Sequence, residues 1–279
     1  MSYSAAIDRS NPTAFLFIVD QSGSMQDPVG GGESAHRKSE VVADSLNRLL
    51  AELTLRCARE EGVRDYFNVG VLGYGATVGP ILGGSLAGRD VIPISEIASS
   101  PMRVEEREKK IPDGAGGLVA QKVKFPVWVS PTANGGTPMC QVLDRARSVV
   151  DGWLTAHPTC FPPIVLHLTD GESTDGDPTQ AADALTTLLS ADGNVLLFNL
   201  HISSDRSHPV LFPDSDSGLP NEHAKLLFRI SSVLPPGLSG YARQQGMNPT
   251  DGTRGFVFNA DATAIVQFLD IGTRASDLR

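Results

Sequence analysis

The sequence is poor in cysteine, in long apolar runs and in positive charge. Its three cysteines, Cys57, Cys140 and Cys160, form no C-x-x-C pair, which argues against a disulfide framework and against a structural zinc site. We therefore expect a reducing, cytoplasmic setting. No apolar stretch of the chain reaches the roughly 18 residues that a transmembrane helix needs, and its N-terminus lacks the basic region of a secretory leader. We expect no membrane partner.

The charge balance limits the partners further. With 23 Lys and Arg against 32 Asp and Glu, the formal net charge is −9, which has the wrong sign for attraction to nucleic-acid phosphates. We therefore expect no nucleic acid as a partner. Hydrophobic residues make up 41% of the 279 residues, which is enough for a folded core.

Buried strands are predicted from continuous apolar runs that end in polar or glycine-rich loops. These runs cover 14–20, 66–75, 163–170 and 194–203. Amphipathic helices are predicted between or after them, around 42–53, at 138–156 and at 178–191. This alternation predicts an α/β fold with a doubly wound, mostly parallel sheet that is flanked by helices.

Two regions exceed a minimal domain of this kind. Residues 83–131 contain the charged stretches MRVEEREKKI and QKVKFPVWV around the turn-rich PDGAGG, which predicts an inserted β-hairpin region. Residues 204–252 contain an acidic loop, a predicted short helix at 221–234 and Pro/Gly-rich sequence before the strand-like GFVFN. Neither region has enough apolar residues for a separate core, so we interpret 1–279 as one domain with two elaborations.

Side chains that bear oxygen follow two of the predicted strands. Asp20, Ser22 and Ser24 alternate in the loop after the first strand, and Asp170 ends the strand 163–170. Thr137 follows two glycines, at the expected N-cap of a helix. Because the carboxyl ends of parallel strands share one rim, we expect these groups to meet. Hard oxygen donors with few formal charges suit Mg²⁺ or Mn²⁺.

These motifs resemble the metal-ion-dependent adhesion site of the von Willebrand factor A domain family. The matching motifs are D-x-S-x-S at 20–24, G-G-T-P at 135–138 and T-D-G at 169–171, and the order of strands and helices agrees across nearly the whole chain. The resemblance implies a Rossmann-like fold and a complete site. In that site the metal ligands, some of them through water, are Asp20, Ser22, Ser24, Thr137 and Asp170. It also implies one open coordination position for a Glu or Asp carboxylate of a partner protein, and binding rather than turnover.

Within that family, the run TDGESTDGDP resembles the bacterial stand-alone members, the tellurium-resistance-associated and YegL-like proteins. A TDGxPTD pattern is usual there, and Ser173 replaces its proline. This resemblance implies a cytoplasmic module of a bacterial stress-response or conflict system. Its implied partner belongs to a protein kinase, phosphatase or AAA⁺ ATPase system.

The alternative function is a Mg²⁺-dependent phosphatase or hydrolase with Asp20 as its nucleophile. Phosphatases that use a D-x-D-x-T loop carry a general acid two residues after the nucleophile, where this chain has Ser22. A serine does not titrate usefully near pH 7. We therefore expect that the protein is not an enzyme.

Three further features have a structural explanation beside a functional one. His167 is out of phase with Asp170 along its strand, so we expect a buried core histidine. Asp175 and Asp177 either hold a second cation or, more simply, cap a helix N-terminus. The glycine-rich segment 73–79 favours a hairpin turn over a dinucleotide loop, because no helix follows it.

Overall fold

The structure is a computed structural model that describes residues 3–29, 36–112, 118–202 and 209–273, with the backbone alone at 109–112 and 118. Its strands are β1 (Thr13–Asp20), β2 (Ala58–Arg59), β3 (Gly62–Val63), β4 (Phe67–Tyr74), β5 (Val78–Pro80), β6 (Ile92–Pro93), β7 (Arg103–Pro112), β8 (Leu118–Val127), β9 (Ile164–Thr169), β10 (Leu196–Ile202), β11 (Val210–Leu211) and β12 (Phe256–Ala260). Its helices are α1 (Lys38–Cys57), α2 (Ile94–Ser99), α3 (Met139–Ala156), α4 (Thr179–Thr186), α5 (Glu222–Ile230), α6 (Pro236–Gln244) and α7 (Ala262–Gly272), with short 3₁₀ helices at Gly23–Gln26 and Gly84–Leu86.

In the described residues, eight strands form the central sheet. Their order is β11-β12-β10-β9-β1-β4-β5, and β6 also pairs with β4. The inner pairs are parallel, and the outer strands β5, β6 and β11 are antiparallel. The chain begins in the middle of the sheet, moves out to β4 and returns past β1 to β9. The predicted fold class, a doubly wound and mostly parallel sheet with helices around it, is confirmed.

Strand β1 is buried on both faces, which explains its unbroken apolar run. Phe15 and Phe17 belong to the apolar cluster that includes residues of α1 and α7. Leu16 and Ile18 belong to the cluster on the opposite face, together with residues of α3, α4 and α5. Because side chains alternate along a strand, helices must cover both faces of this sheet.

The ends of three predicted helices need correction. The helix predicted at 221–234 is α5, which ends at Ile230. Helix α3 begins at Met139 and has Pro138 as its N-cap residue, with a ψ of 72° that is not helical. The sequence predicts Thr137 as the N-cap of this helix, but Thr137 lies one residue before the observed N-cap. Helix α4 ends at Thr186, before the predicted end at 191.

Helices α6 and α7 are absent from the sequence-based prediction. Helix α6 lies in the Pro/Gly-rich part of the second elaboration, where two glycines lower helix propensity but Pro236 suits a first turn. Helix α7 begins after Asp261, whose Oδ1 accepts a hydrogen bond from the Ala264 backbone N–H at 2.8 Å. Its apolar face packs into the same cluster as α1, so tertiary packing stabilises it.

The inserted β-hairpin is present as predicted. Strands β7 and β8 pair with each other from Arg103 and Val127 onwards, and the predicted turn at 113–117 lies outside the described residues. Arg107 fastens the hairpin to α1 through hydrogen bonds of 2.8 and 3.1 Å to the Asp44 carboxylate, and its guanidinium lies over the Phe125 ring. The insertion is therefore attached to the helix that follows β1.

A buried amide fixes the chain that leaves the hairpin. The Asn47 side chain, in α1, accepts hydrogen bonds from the backbone N–H groups of Trp128 and Val129 at 2.8 and 3.0 Å and donates to the Val129 carbonyl at 2.9 Å. An amide side chain provides these contacts from two separate atoms, an acceptor oxygen and a donor nitrogen. Asn47 thus positions the segment that leads to Thr137.

The interpretation of 1–279 as one domain with two elaborations stays a prediction. Within the described ranges, Trp128 and Val129 of the first region join the apolar cluster on the α1 side of the sheet, and α5 of the second joins the cluster on the other side. Of the helices in these ranges, none combines the length and the apolar character needed to cross a membrane.

We expect the substitution Asn47→Ala to lower the free energy of unfolding by about 3 kcal/mol or more. It leaves two N–H groups and one carbonyl without their partner, and a buried unsatisfied group costs on the order of 1–3 kcal/mol. Urea denaturation measures this loss. The exposed neighbour Arg48→Ala is the control, with an expected change below about 0.5 kcal/mol. Equal stabilities of the two variants would contradict the role given to Asn47.

Candidate metal centre

The candidate centre lies where three loops meet beside the carboxyl ends of β1 and β9. We call them the first loop (21–27), the second loop (130–138) and the third loop (170–178). The Gly23 N–H donates to the Gly135 carbonyl at 2.9 Å, and the Thr174 N–H donates to the Thr137 carbonyl at 2.9 Å. The connections from β1 and β9 lead to opposite sides of the sheet, which is where doubly wound folds open a crevice.

Two glycines allow the second loop to approach its neighbours. A Cβ at Gly75, after β4, would lie 2.5 Å from the Asn134 carbonyl oxygen and 2.6 Å from that of Gln21. Gly135 has a φ of +89°, and a Cβ there would collide with the Ala76 backbone. Side chains at these positions would push the second loop away from the first.

Two serine hydroxyls and two carboxylates of the predicted set lie together. Ser24 Oγ donates to Asp170 Oδ1 at 2.8 Å, and Ser22 Oγ lies 3.1 Å from Ser24 Oγ and 3.5 Å from the same carboxylate oxygen. The Ser22 backbone N–H donates to Asp20 Oδ1 at 2.8 Å. The alternation of D-x-S-x-S therefore turns the side chains of Asp20, at the end of β1, and of Ser22 and Ser24, in the first loop, toward the end of β9 and the third loop.

The Asp20 carboxylate is 1% exposed and both of its oxygens accept hydrogen bonds. Its Oδ2 accepts from Thr169 Oγ1 at 2.9 Å, while the Asp170 N–H lies 3.5 Å away. Burial raises the pKa of Asp20, hydrogen bonds from Ser22 lower it in part, and the Asp170 charge raises it again. A buried carboxylate in this state is stabilised by a nearby cation.

Thr137 is brought to the same place by contacts of its backbone. Its N–H donates to Thr174 Oγ1 at 3.0 Å, and its hydroxyl lies close enough to Gly171 that a Cβ there would be 3.9 Å away. Thr137 is 6% exposed. Its hydroxyl makes no hydrogen bond within the part of the chain that the structure describes, so it is available as a ligand.

A lysine that the sequence-based prediction omits lies in the centre. Lys38 Nζ donates to Asp170 Oδ2 at 2.9 Å, and the two side chains are 6% and 0% exposed. Lys38 is the first residue of α1, where the helix dipole disfavours positive charge. Asp170 provides the opposing charge across a sequence separation of 132 residues, and no local pattern in the sequence links the two residues.

A chain of buried polar groups lies beneath the centre. The Asn199 amide nitrogen donates to Ser231 Oγ at 2.9 Å and faces a carbonyl of α5. The Asn199 amide oxygen therefore faces His167 Nδ1, at 2.8 Å. His167 therefore carries its proton on Nδ1, and Nε2 accepts from the Tyr74 hydroxyl at 2.6 Å. The Tyr74 oxygen lies 3.4 Å from Asp20 Oδ2. His167 is the buried core histidine that the sequence predicts.

Asp175 and Asp177, in the third loop, act as helix caps. Asp177 Oδ1 accepts from the Thr179 N–H at the start of α4, at 2.9 Å. Asp175 caps α3 instead, because its oxygens accept from the backbone N–H groups of Cys140 and Gln141 at 3.0 and 2.9 Å. These bonds fasten the third loop to the helix behind Thr137. The segment 73–79 forms the predicted hairpin turn between β4 and β5.

The donors in the centre fit a hard divalent cation. Two carboxylates and three hydroxyls provide oxygen ligands only, as Mg²⁺ and Mn²⁺ prefer. In the described ranges no group of three or more His, Cys, Asp or Glu side chains is placed to hold a metal ion. A cation here would therefore depend on the hydroxyls of Ser22, Ser24 and Thr137 as well as on the carboxylates. The ligand role of these residues stays a prediction.

No protein-family model and no curated protein sequence matches the chain. Among solved structures, the chain is similar to proximal thread matrix protein 1 of the mussel byssus, with a zinc-occupied MIDAS motif. The identity is 14% and the TM-score is 0.48, and the match covers 95% of this chain and 48% of that protein. The PilB minor pilin of Streptococcus sanguinis is similar at 11% identity and a TM-score of 0.45, over 95% and 61%. The ArnB paralog VWA2 of Sulfolobus acidocaldarius is similar at 12% identity and a TM-score of 0.37, over 70% and 36%.

This chain thus spans less than two thirds of each of these solved structures. Similarities at these identities and TM-scores do not establish the family of this chain. The fold class is established by the strand order and by the parallel pairing of the inner strands.

The buried histidine makes stability depend on pH. Burial lowers the pKa of His167 from 6.5 to about 4, so the unfolded chain binds a proton below pH 6.5 that the folded chain does not. The contribution of neutral His167 is fully present above pH 6.5 and is lost as the pH falls toward 4, by about 3 kcal/mol in total. His201, whose pKa burial also lowers to about 4, titrates in the same window.

Denaturation of the wild type and of His167→Gln at several pH values measures this effect. We expect the free energy of unfolding of the wild type to fall more steeply between pH 6.5 and 4 than that of the variant. The contribution of His201 is common to both proteins and cancels in the comparison. Parallel pH profiles would contradict the buried neutral state of His167.

Proposed function

We propose that this chain is a metal-ion-dependent protein-interaction module of the von Willebrand factor A kind. In this proposal a divalent cation, Mg²⁺ or Mn²⁺, is held by Asp20, Ser22, Ser24, Thr137 and Asp170. A carboxylate of a partner protein completes its coordination. The main support for the proposal is that the Ser22 and Ser24 hydroxyls lie at Asp170 Oδ1, while the buried Asp20 carboxylate contacts the Ser22 and Asp170 backbone N–H groups.

Electrostatics supports a cation at this place. Asp20 and the Asp170 side chain are almost completely buried, and desolvation of two like charges costs several kcal/mol for each ion unless positive charge is near. Lys38 provides one positive charge. The remaining negative charge, together with neutral hydroxyl donors, favours a small divalent ion over a second ammonium or guanidinium group.

The surface of the centre supports a protein ligand. Ser24 and Gln26 are exposed in the first loop, so the hydroxyl that contacts Asp170 lies at the solvent boundary. A bound divalent ion would offer a Lewis-acidic position to an anionic oxygen from outside. Aspartate and glutamate side chains are the anionic groups that a protein partner presents most readily.

The same geometry argues against the phosphatase alternative. Asp20 is 1% exposed, and its oxygens accept hydrogen bonds from the Ser22 N–H and the Thr169 hydroxyl. A nucleophile needs a free oxygen in reach of the substrate. His167, the titratable group beneath the site, has both ring nitrogens engaged in hydrogen bonds. We therefore propose a binding protein and not an enzyme.

The setting of this function is also part of the proposal. The acidic net charge and the scattered cysteines support a cytoplasmic protein. The TDGESTDGDP run supports kinship with the bacterial stand-alone members of the family, the tellurium-resistance-associated and YegL-like proteins. We propose a role in a bacterial stress-response or conflict system, with a partner from a kinase, phosphatase or AAA⁺ ATPase system.

Metal binding is the first test. At about 100 times the dissociation constant, Mg²⁺ or Mn²⁺ adds about 2.7 kcal/mol to stability by mass action, which raises the melting temperature by about 5 °C. We expect Asp20→Asn to abolish this rise and Ser24→Ala to weaken it. Differential scanning fluorimetry of chelator-treated protein measures the shift.

Ser173→Ala is the matched control, because Ser173 lies in the third loop but its hydroxyl donates to Asp175. This variant should retain the full metal-induced shift. The proposal is contradicted if neither ion stabilises the wild type, or if Asp20→Asn and the wild type respond equally.

The absence of turnover is the second test. Because Asp20 is buried and Ser22 stands at the position of the general acid in D-x-D-x-T phosphatases, we expect the protein with Mg²⁺ to hydrolyse p-nitrophenyl phosphate no faster than Asp20→Asn does. A continuous absorbance assay of both proteins, purified in parallel, gives the comparison. Hydrolysis that is present in the wild type and lost in the variant would establish the phosphatase alternative instead.

A further inference from the structure

We propose that Lys38 is a built-in cation of the metal centre that makes metal retention depend on the partner's carboxylate. In this view the lysine weakens the binding of a divalent ion alone and strengthens the binding of an anionic ligand to the loaded site. The inference rests on the proposed function and names how the same site is regulated.

The Lys38 ammonium is paired within the centre and not at the surface. Its Nζ lies 2.9 Å from Asp170 Oδ2, and the side chains are 6% and 0% exposed. Within the described residues, its other carboxylate neighbour is Asp27, at 3.9 Å, whose side chain is 60% exposed. Water screens the Asp27 charge but not the Lys38–Asp170 pair, so Asp170 is the carboxylate that the lysine neutralises.

Asp170 divides its two oxygens between two sets of neighbours. Oδ2 accepts from Lys38, while Oδ1 accepts from Ser24 and lies 3.5 Å from Ser22 Oγ. The oxygen on the hydroxyl side is therefore the one available to a divalent ion. Lysine and metal would share the Asp170 carboxylate, so the metal does not need to displace the lysine but is repelled by it.

The start of α1 holds the lysine in this position. The Lys38 backbone N–H donates to the Asp27 carbonyl at 2.9 Å, and the Arg37 N–H donates to Glu40 Oε2 at 3.1 Å, which closes the first turn. The backbone under Lys38 is thus fixed to the first loop. With its backbone anchored there and its side chain 6% exposed, the ammonium stays within one side-chain length of Asp170 when a metal ion enters.

The charges of the centre then change sign with occupancy. Two carboxylates and one ammonium leave a single net negative charge, and a divalent ion converts it into a single net positive charge. A carboxylate from a partner would bring the loaded centre to neutrality. Without the lysine, the metal-loaded centre is neutral before any partner arrives, and a carboxylate would make it negative.

Reciprocity between two ligands follows from this charge pattern. If a carboxylate raises the affinity for the metal, the metal raises the affinity for the carboxylate by the same factor. Lys38 repels the metal ion and attracts the carboxylate, so it lowers the affinity for the metal alone and raises the affinity of the loaded site for the carboxylate. At a given carboxylate concentration, metal binding is therefore tightened more with the lysine than without it. The module would bind metal weakly at rest and firmly when an acidic partner is engaged.

The experiment compares Mn²⁺ binding to metal-free wild type and Lys38→Met by calorimetry, with and without acetate at constant ionic strength. Methionine has a similar length and no charge. We expect Lys38→Met to bind Mn²⁺ at least about tenfold more tightly, since a unit charge close to the ion is removed. Acetate should tighten Mn²⁺ binding to the wild type more than to the variant.

Three further variants make the test specific. Lys38→Gln keeps an uncharged hydrogen-bond donor for Asp170, and we expect it to bind Mn²⁺ as tightly as Lys38→Met does. It replaces Lys38→Met in the comparison if the methionine variant does not fold. Lys38→Arg keeps the charge and should bind Mn²⁺ as weakly as the wild type. Lys122→Met removes an exposed lysine that pairs with Glu106 on the hairpin and should change nothing.

The melting temperature without metal is an independent readout. Lys38→Met should melt below the wild type in chelator, because Asp170 then lacks its counter-ion, and Lys122→Met should not. The inference fails, while the proposed function survives, if the wild type binds Mn²⁺ and the folded neutral variants bind it no more tightly. Both fail if the wild type and the neutral variants all fail to bind Mn²⁺.

Discussion

The burial of two carboxylates at neighbouring strand ends is the constraint on which the site depends. Asp20 ends β1, and Asp170 follows β9, which pairs with β1 in parallel. Their side chains are almost completely buried, so the surrounding loops must supply hydrogen bonds and positive charge. Serine and threonine hydroxyls, the Ser22 backbone N–H and the Lys38 ammonium meet part of that need. A divalent cation would meet the rest, so the electrostatics and the donor chemistry of the site both support the proposed metal binding.

The distant parts of the fold act on the site by holding its loops. The second loop reaches the centre only because glycines at 75 and 135 permit close backbone approach. It is fixed at one end by Asn47, which binds the chain that leaves the hairpin, and at the other end by Asp175, which caps α3. The hairpin is fastened to α1 by Arg107, and α1 also provides Lys38. The insertion and the metal centre are therefore connected through one helix.

Much of the architecture could be predicted from the sequence because its signals are local. Apolar runs that stop at polar loops identify buried parallel strands, and the carboxyl ends of such strands share a rim, so Asp20 and Asp170 could be expected to meet. The spacing of D-x-S-x-S fixes the neighbours of Asp20 within one tight loop. Helix boundaries do not follow from these patterns, because the conformation of Pro138 decides where α3 begins.

The remaining features depend on contacts between distant parts of the chain. Lys38 reaches Asp170 across a sequence separation of 132 residues, and the Tyr74–His167–Asn199 chain joins three strands. Helix α7 has an ordinary cap, but its packing against the sheet stabilises it. No local pattern determines such partners.

Anomalous diffraction from crystals grown with Mn²⁺ shows directly where the metal ion binds. We expect a manganese peak bounded by the side-chain oxygens of Asp20, Ser22, Ser24, Thr137 and Asp170, with the Lys38 ammonium still on Asp170 Oδ2. A centre without a manganese peak, in crystals that contain the ion at a saturating concentration, would contradict the proposed metal site.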